Sequence, residues 1–139
     1  MQKEKHLLLV DDNDKYAKIL TEYFQKKSYI IDRAYDGKEA LEILQSKDLK
    51  YYDIILTDIT MESQLAGLTF LKKARQIGYK GKIIIASTGF NYSIAMFLAP
   101  LFLNHLKVDY LIPKTSVLKN QIEFYPCKFL ANKEKEIVL

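Results

Sequence analysis

Short runs of apolar residues alternate along this chain with segments whose apolar residues recur at helical spacing. Five runs are continuous rather than alternating, which is typical of strands buried on both faces of a sheet. Four lie at residues 7–10, 54–57, 83–86 and 110–112, and the fifth, at 29–31, leads a strand toward Ala34. Between the first two runs, Tyr16 and Leu20 belong to one apolar helical face. Helices are also predicted after the next two strands, over 91–106, and over 117–125, where Pro126 would end the last one.

This alternation of strands and helices predicts the fold class. Strands that alternate with helices form a parallel sheet with helices on both faces. Five such units in a row therefore predict a doubly wound α/β fold with a five-stranded parallel sheet. We expect one domain over residues 1–125 and a C-terminal tail over 126–139, with no output domain.

Composition fits a globular protein and excludes several classes of site. Of the 139 residues, 49% are hydrophobic and 27% are charged, which is ordinary for a folded soluble domain. Cys127 is the only cysteine, which excludes a disulfide framework and a cysteine-rich zinc site. No apolar stretch approaches the length of about 20 residues that spans a bilayer, and the N-terminus lacks a secretory signal. We therefore expect a cytoplasmic protein without a membrane partner.

The charge of the chain is modest and dispersed. The formal net charge is +4, and the lysines of the second half are scattered rather than grouped. Nucleic-acid binding depends on clustered cations that neutralise phosphates. We therefore expect no nucleic-acid partner.

Polar and charged residues follow the predicted strands at one edge of the sheet, where open α/β folds bind their ligands. They are Asp11, Asp12, Asp58, Ser87, Thr88 and Lys114. Carboxylates this close repel one another, so they need a cation or a proton. An oxygen-only ligand set suits Mg²⁺. An aspartate can also accept a phosphoryl group as a nucleophile, and a lysine with Mg²⁺ would neutralise its charge.

Five stretches of the chain, taken in order, are similar to the receiver domain of response regulators in two-component signalling. They are LLLVDDN (7–13), AYDGKEAL (34–41), YDIILTDITM (52–61), KIIIASTG (82–89) and DYLIPK (109–114). The resemblance implies a flavodoxin-like (βα)5 fold with strand order 2-1-3-4-5. It also implies a stand-alone phosphoacceptor rather than an enzyme, with self-phosphotransfer and autodephosphorylation on Asp58 as its only chemistry.

The resemblance assigns a role to each matching residue. Asp58 corresponds to the phosphoacceptor, and it is a metal ligand together with Asp12, the Thr60 backbone carbonyl and, through water, Asp11. Lys114 corresponds to the lysine that contacts the phosphoryl group. Either Ser87 or Thr88 corresponds to the switch hydroxyl, and Tyr110 to the aromatic switch. The implied cofactor is Mg²⁺, and the implied partner is a sensor histidine kinase or a phosphotransfer protein.

Several departures from the family pattern favour an alternative function. Met61 is not followed by proline, and Gly67 lies nine residues after Asp58 rather than eight. The usual Lys-Pro order is inverted to Pro113-Lys114. These changes are compatible with a degenerate receiver that acts as a phosphorylation-independent interaction module.

The segment 91–106 suggests how a signal would leave the domain. It is apolar almost throughout its middle and contains Pro100, which kinks or splits a helix. In the family, the fourth strand, the helix after it, the fifth strand and the fifth helix form the switching face. We therefore expect 91–106 to contribute to a homodimer or to an output-partner surface.

Overall fold

The computed structural model describes residues 3–58, 66–87 and 106–126. Sheet strands and helices alternate through the described part of the chain. The strands are β1 (Lys5–Val10), β2 (Tyr29–Ala34), β3 (Ile54–Asp58), β4 (Lys82–Ser87), β5 (Tyr110–Pro113) and β6 (Tyr125–Pro126). The helices are α1 (Asp14–Lys26), α2 (Gly37–Gln45), α3 (Ala66–Gln76) and α4 (Lys114–Val117). Within these ranges, no helix is long and apolar enough to cross a membrane.

The strands form one sheet in the order β2-β1-β3-β4-β5-β6. The first five strands are parallel, which confirms the predicted fold class and the order 2-1-3-4-5. The sixth strand is short and runs antiparallel to β5, so the sheet has one strand more than expected. Because parallel strands end at a common edge, the residues at the carboxyl ends of β1, β3 and β5 lie near one another.

Each face of the sheet has its own apolar core. Leu8 and Val10 of β1 pack with the buried faces of α2 and α3. Leu7 and Leu9 point to the opposite face and pack with α1 and with the C-terminal residues of the described chain. The alternation follows from the pleat of a strand, and it explains why these runs are apolar at every position.

The last predicted helix, over 117–125, is wrong. The helix α4 is a single turn that ends soon after Val117, because Asn120 adopts a left-handed conformation with a φ of 56°. The N–H of Asn120 donates to the carbonyl of Val117, and the N–H of Gln121 donates to that of Ser116. This hydrogen-bond pattern is the one that terminates many helices, and asparagine tolerates the required backbone conformation.

Beyond this turn the chain is extended and takes the place of the expected helix. Phe124 is completely buried and contacts the rings of Tyr23 and Phe24 of α1. Ile122 packs against the same cluster. Apolar residues two positions apart suit a strand rather than a helix, and β6 follows directly. The strand β6 begins at Tyr125, the predicted domain boundary. The division of the chain into a domain and a tail stays a prediction.

Candidate functional site

Three predicted site residues lie where strands end at the carboxyl edge of the sheet. Asp11 follows β1, Asp58 is the last residue of β3, and Lys114 follows β5 as the first residue of α4. All three are almost wholly buried, with exposed fractions of 0%, 3% and 1% respectively. Asp12 lies next to them and is exposed. The strand order therefore brings four of the predicted residues together.

The ammonium group of Lys114 lies between the two buried carboxylates. Its Nζ is 2.6 Å from Oδ2 of Asp11 and donates a 2.8 Å hydrogen bond to Oδ2 of Asp58. Nζ also lies 4.3 Å from the centre of the Tyr16 ring, whose face attracts a cation. A buried charge is stable only where such partners replace its lost hydration. Removing the lysine would therefore leave two buried carboxylates without their cation.

Asp11 is held through its backbone as well as its side chain. Its Oδ1 accepts a 2.9 Å hydrogen bond from the N–H of Asn13, and its own N–H donates to the carbonyl of Ala34. The guanidinium of Arg33 donates two hydrogen bonds, of 3.1 and 3.0 Å, to the Asp11 carbonyl oxygen. Oδ2 is buried and contacts the Lys114 ammonium at 2.6 Å. Oδ2 keeps a lone pair, beyond the one that faces Lys114, for a further cation.

Replacing Asp11 by Asn should stabilise the metal-free protein at neutral pH. Burial raises the pKa of Asp11 above its usual 3.8, and the nearby ammonium of Lys114 offsets only part of this increase. A carboxyl whose pKa is raised on folding stabilises the fold below its unfolded pKa, and this contribution is lost as pH rises through the folded pKa. Each unit of difference corresponds to about 1.4 kcal/mol. We expect the variant to have the higher free energy of unfolding at neutral pH.

Urea denaturation in the presence of EDTA at several pH values checks this expectation. The advantage of Asp11→Asn should shrink as pH falls and disappear below 3.8, where Asp11 is protonated in both states. Asp48→Asn is the matched control, because Asp48 is exposed. If Asp11→Asn were the less stable protein at neutral pH, the ion pair with Lys114 would outweigh the effect of burial.

The three carboxylates form a cluster that could hold a metal ion. Asp11, Asp12 and Asp58 each offer an oxygen, and these oxygens lie within 4.8 Å of one another. Lys114 balances only one of the three negative charges. The donor atoms are all oxygens, and Oδ2 of Asp11 has a lone pair beyond the one that faces Lys114. This arrangement fits a hard divalent cation with oxygen ligands.

A known protein family matches the part of the chain that carries the acidic cluster. Residues 7–99 match the response regulator receiver domain. The matched range is more than half of the chain, includes Asp11, Asp12 and Asp58, and ends before Lys114. This chain belongs to the response regulator receiver domain family. Receiver domains are signalling domains of two-component systems and interact with histidine kinases or phosphotransfer proteins.

Individual relatives support the same assignment. The transcriptional regulatory protein DltR of Streptococcus agalactiae is 33% identical over 78 residues, which are 56% of this chain and 33% of that protein. The similar stretch thus spans about a third of the length of that relative.

Solved structures support the fold. The chemotaxis protein CheY4 of Vibrio cholerae is similar with a TM-score of 0.67 over 85% of this chain and 92% of that chain, at 20% identity. A response regulator from Burkholderia pseudomallei, solved with a phosphorylated aspartic acid, a calcium ion and citrate, has a TM-score of 0.62. Its similarity covers 78% of this chain and 58% of that chain, at 18% identity. At these identities, the two structures show the fold alone.

Lys114 contacts Asp58 despite the inverted Pro-Lys order. Pro113 is the last residue of β5 and pairs with Ser87 at the end of β4. Lys114 therefore begins α4 instead of ending the strand. Its side chain still lies 2.8 Å from Asp58, because it extends back toward the edge of the sheet. The inversion changes the element that carries the lysine but not the contact.

The remaining predicted residues are described only in part. Ser87 ends β4, at the same edge as Asp58. Thr60, Thr88 and the segment 91–105 lie outside the described residues, so the choice between Ser87 and Thr88 stays open. Tyr110 begins β5, and its ring meets that of Phe124 edge-on at 5.9 Å. Its role as a switch stays a prediction.

Sequence reasoning missed two residues of the site. Tyr16 was assigned to the apolar face of α1, yet its ring contacts the ammonium of Lys114. Arg33 lies in β2 and binds the backbone of Asp11. The sequence contained one signal for Arg33. It is a cation near the end of the second strand, which the predicted strand order places beside the first strand, where Asp11 follows.

Proposed function

We propose that this chain is a phosphoacceptor receiver in a two-component phosphorelay, phosphorylated on Asp58. The observation that carries the proposal is the buried pairing of Asp58 and Asp11 with the single ammonium of Lys114, at 2.8 and 2.6 Å. The membership of the chain in the receiver family supports it. The Burkholderia pseudomallei regulator with a phosphorylated aspartic acid provides an example of this chemistry on the same fold.

Each group in the site has a chemical task in this proposal. A carboxylate oxygen of Asp58 attacks the phosphorus of the donor as the bond to the leaving group breaks, and the bonding electrons depart with the leaving group. Lys114 donates to the phosphoryl oxygens and stabilises their charge. Asp12 and Asp58 would hold Mg²⁺, with Asp11 acting through water and, by the family pattern, the carbonyl of Thr60 as a further ligand. When bound, Mg²⁺ neutralises charge on the transferring group.

The proposal extends to the partners and to the signal. The donor is a sensor histidine kinase or a phosphotransfer protein in the cytoplasm. Phosphorylation adds negative charge at the end of β3, which would draw in the hydroxyl of Ser87 or Thr88 and reposition Tyr110. The response would then leave through β4, the segment 91–106 and β5, toward an output partner or a second copy of the chain.

Intact mass spectrometry after incubation with acetyl phosphate and Mg²⁺ tests the proposal. We expect a mass increase of one phosphoryl group on the wild-type protein. The adduct should be absent with EDTA and absent from Asp58→Asn. Asp48→Asn, at an exposed position between α2 and β3, is the control that should still form the adduct.

The alternative function is a degenerate receiver that binds partners without phosphorylation. It shares the fold and makes the opposite prediction for this experiment. If the folded wild-type protein formed no adduct with acetyl phosphate, nor with a phosphorylated histidine donor, the phosphoacceptor proposal would be wrong. The inverted Pro113-Lys114 order and the longer loop to Gly67 would then mark a site that has lost this chemistry.

A further inference from the structure

Arg33 connects three parts of the structure at the rim of the acidic cluster. From β2, its guanidinium donates two hydrogen bonds, of 3.1 and 3.0 Å, to the carbonyl oxygen of Asp11. The same group forms a 2.8 Å ion pair with Asp14 in the first turn of α1. It also stacks 4.2 Å from the centre of the half-exposed Tyr35 ring. These contacts fix the planar guanidinium in one orientation.

The atom that Arg33 binds has a particular importance for the site. The carbonyl of Asp11 belongs to the peptide unit that joins Asp11 to Asp12. Because a peptide unit is planar, fixing its oxygen fixes the plane from which both flanking residues extend. Asp11 then points into the interior while Asp12 stays at the exposed rim, and their oxygens remain within 4.8 Å of each other and of Asp58.

We propose that Arg33 is a positioning residue for metal binding: it orients the Asp11–Asp12 peptide so that both carboxylates face the same cation. This inference rests on the proposed function, because it assumes that the acidic cluster binds Mg²⁺. Groups that orient metal ligands from outside the ligand set commonly change metal affinity by 10- to 100-fold when they are replaced.

A purely electrostatic role for Arg33 predicts the opposite effect of its replacement on Mg²⁺ affinity. A guanidinium near an acidic cluster repels a divalent cation, so removing its charge would tighten Mg²⁺ binding. Positioning predicts weaker binding instead. Arg33→Lys and Arg33→Gln separate the two roles, because lysine keeps the charge but cannot form the planar pair of hydrogen bonds to one oxygen.

Isothermal titration of the full chain with Mg²⁺ measures the difference. We expect both Arg33→Lys and Arg33→Gln to bind Mg²⁺ about tenfold more weakly than the wild type. Lys15→Gln is the control for charge, since Lys15 is exposed in the first turn of α1. Asp14→Asn removes the ion pair but leaves both hydrogen bonds of Arg33 to Asp11 possible. Neither control should weaken binding by more than about twofold.

NMR of the metal-free protein reports on the orientation of the Asp11–Asp12 peptide separately from Mg²⁺ binding. In the metal-free protein, the NMR shifts of the Asp11 carbonyl carbon and the Asp12 amide should change in both Arg33 variants and not in Lys15→Gln. Tighter binding by Arg33→Gln with wild-type binding by Arg33→Lys would overturn the positioning role alone. A wild type that binds no Mg²⁺ would overturn the proposed function and this inference together.

Discussion

Replacing Lys114 by Met should lower the free energy of unfolding of the metal-free protein by about 3 kcal/mol at neutral pH. Methionine fills much of the volume of the lysine side chain but leaves the buried carboxylates of Asp11 and Asp58 without their cation. Removing one partner of a buried ion pair typically costs about 3–5 kcal/mol, and uptake of a proton by one carboxylate limits the loss. The same change should slow phosphorylation by acetyl phosphate about 100-fold, as expected when a donor to the transferring group is lost.

The pH and metal dependence of Lys114→Met identifies the cause of its instability. Burial already raises the pKa of Asp11, and loss of the Lys114 ammonium removes the main effect that opposes this rise, so stability is lost as pH rises through the folded pKa of Asp11. The deficit against the wild type should therefore shrink in acid, where Asp11 is protonated in both the folded and the unfolded protein. Added Mg²⁺ should recover part of it at neutral pH, because a ligand that binds only the folded protein stabilises it.

A double-mutant cycle and a surface control complete the test. Asp11→Asn removes one of the two facing charges, so it should restore much of the stability that Lys114→Met loses. Lys119→Met removes an exposed lysine shortly after α4 and should change stability by less than about 0.5 kcal/mol. A deficit that persists unchanged in acid would show that lost packing, and not charge, dominates at Lys114.

The central part of the site could be predicted because its causes are local in sequence. Continuous apolar runs specify buried parallel strands, and the residue after each run lies at the carboxyl edge. Asp11 and Asp58 follow this rule and Lys114 lies one residue further on, and the structure brings the three within hydrogen-bond or ion-pair distance. The length of the lysine side chain absorbed the one-residue inversion with Pro113.

The errors have equally specific causes. The last helix was predicted from Val117 to a stop at Pro126, but the left-handed Asn120 ends it earlier. The alternation of Ile122 and Phe124 was the competing strand signal, and pairing with β5 decides between the two. Arg33 and Arg75 each donate to backbone carbonyls that lie 22 or more residues away in sequence, and no local pattern reveals these bonds.

Of these two arginines, Arg75 is the one on which the stability of the fold should depend more strongly. Its guanidinium donates four hydrogen bonds to backbone carbonyls on two segments of the chain. The acceptors are the carbonyl oxygens of Leu106 at 2.8 Å, Lys107 at 3.0 Å, Tyr79 at 3.0 Å and Gly81 at 2.9 Å. Burial lowers the pKa of Arg75, and the charges of Tyr79 and Asp109 offset part of this change. One side chain thus joins the end of α3 to the segments that lead into β4 and β5.

We expect Arg75→Met to lower the free energy of unfolding by about 3 kcal/mol, since hydrogen bonds from a charged donor contribute about 1.5–3 kcal/mol each and some of the carbonyls will regain water. Arg75→Lys should be nearly as unstable, because an ammonium cannot reach four carbonyls in a planar arrangement.

Lys73→Met is the control, since Lys73 is an exposed cation in the same last turn of α3. Urea denaturation measures all three, with the slope against urea expected to stay constant. If Arg75→Met matched Lys73→Met, water would replace the guanidinium at little cost, and the junction between α3 and β5 would depend on the apolar packing of Leu106 and Val108 instead.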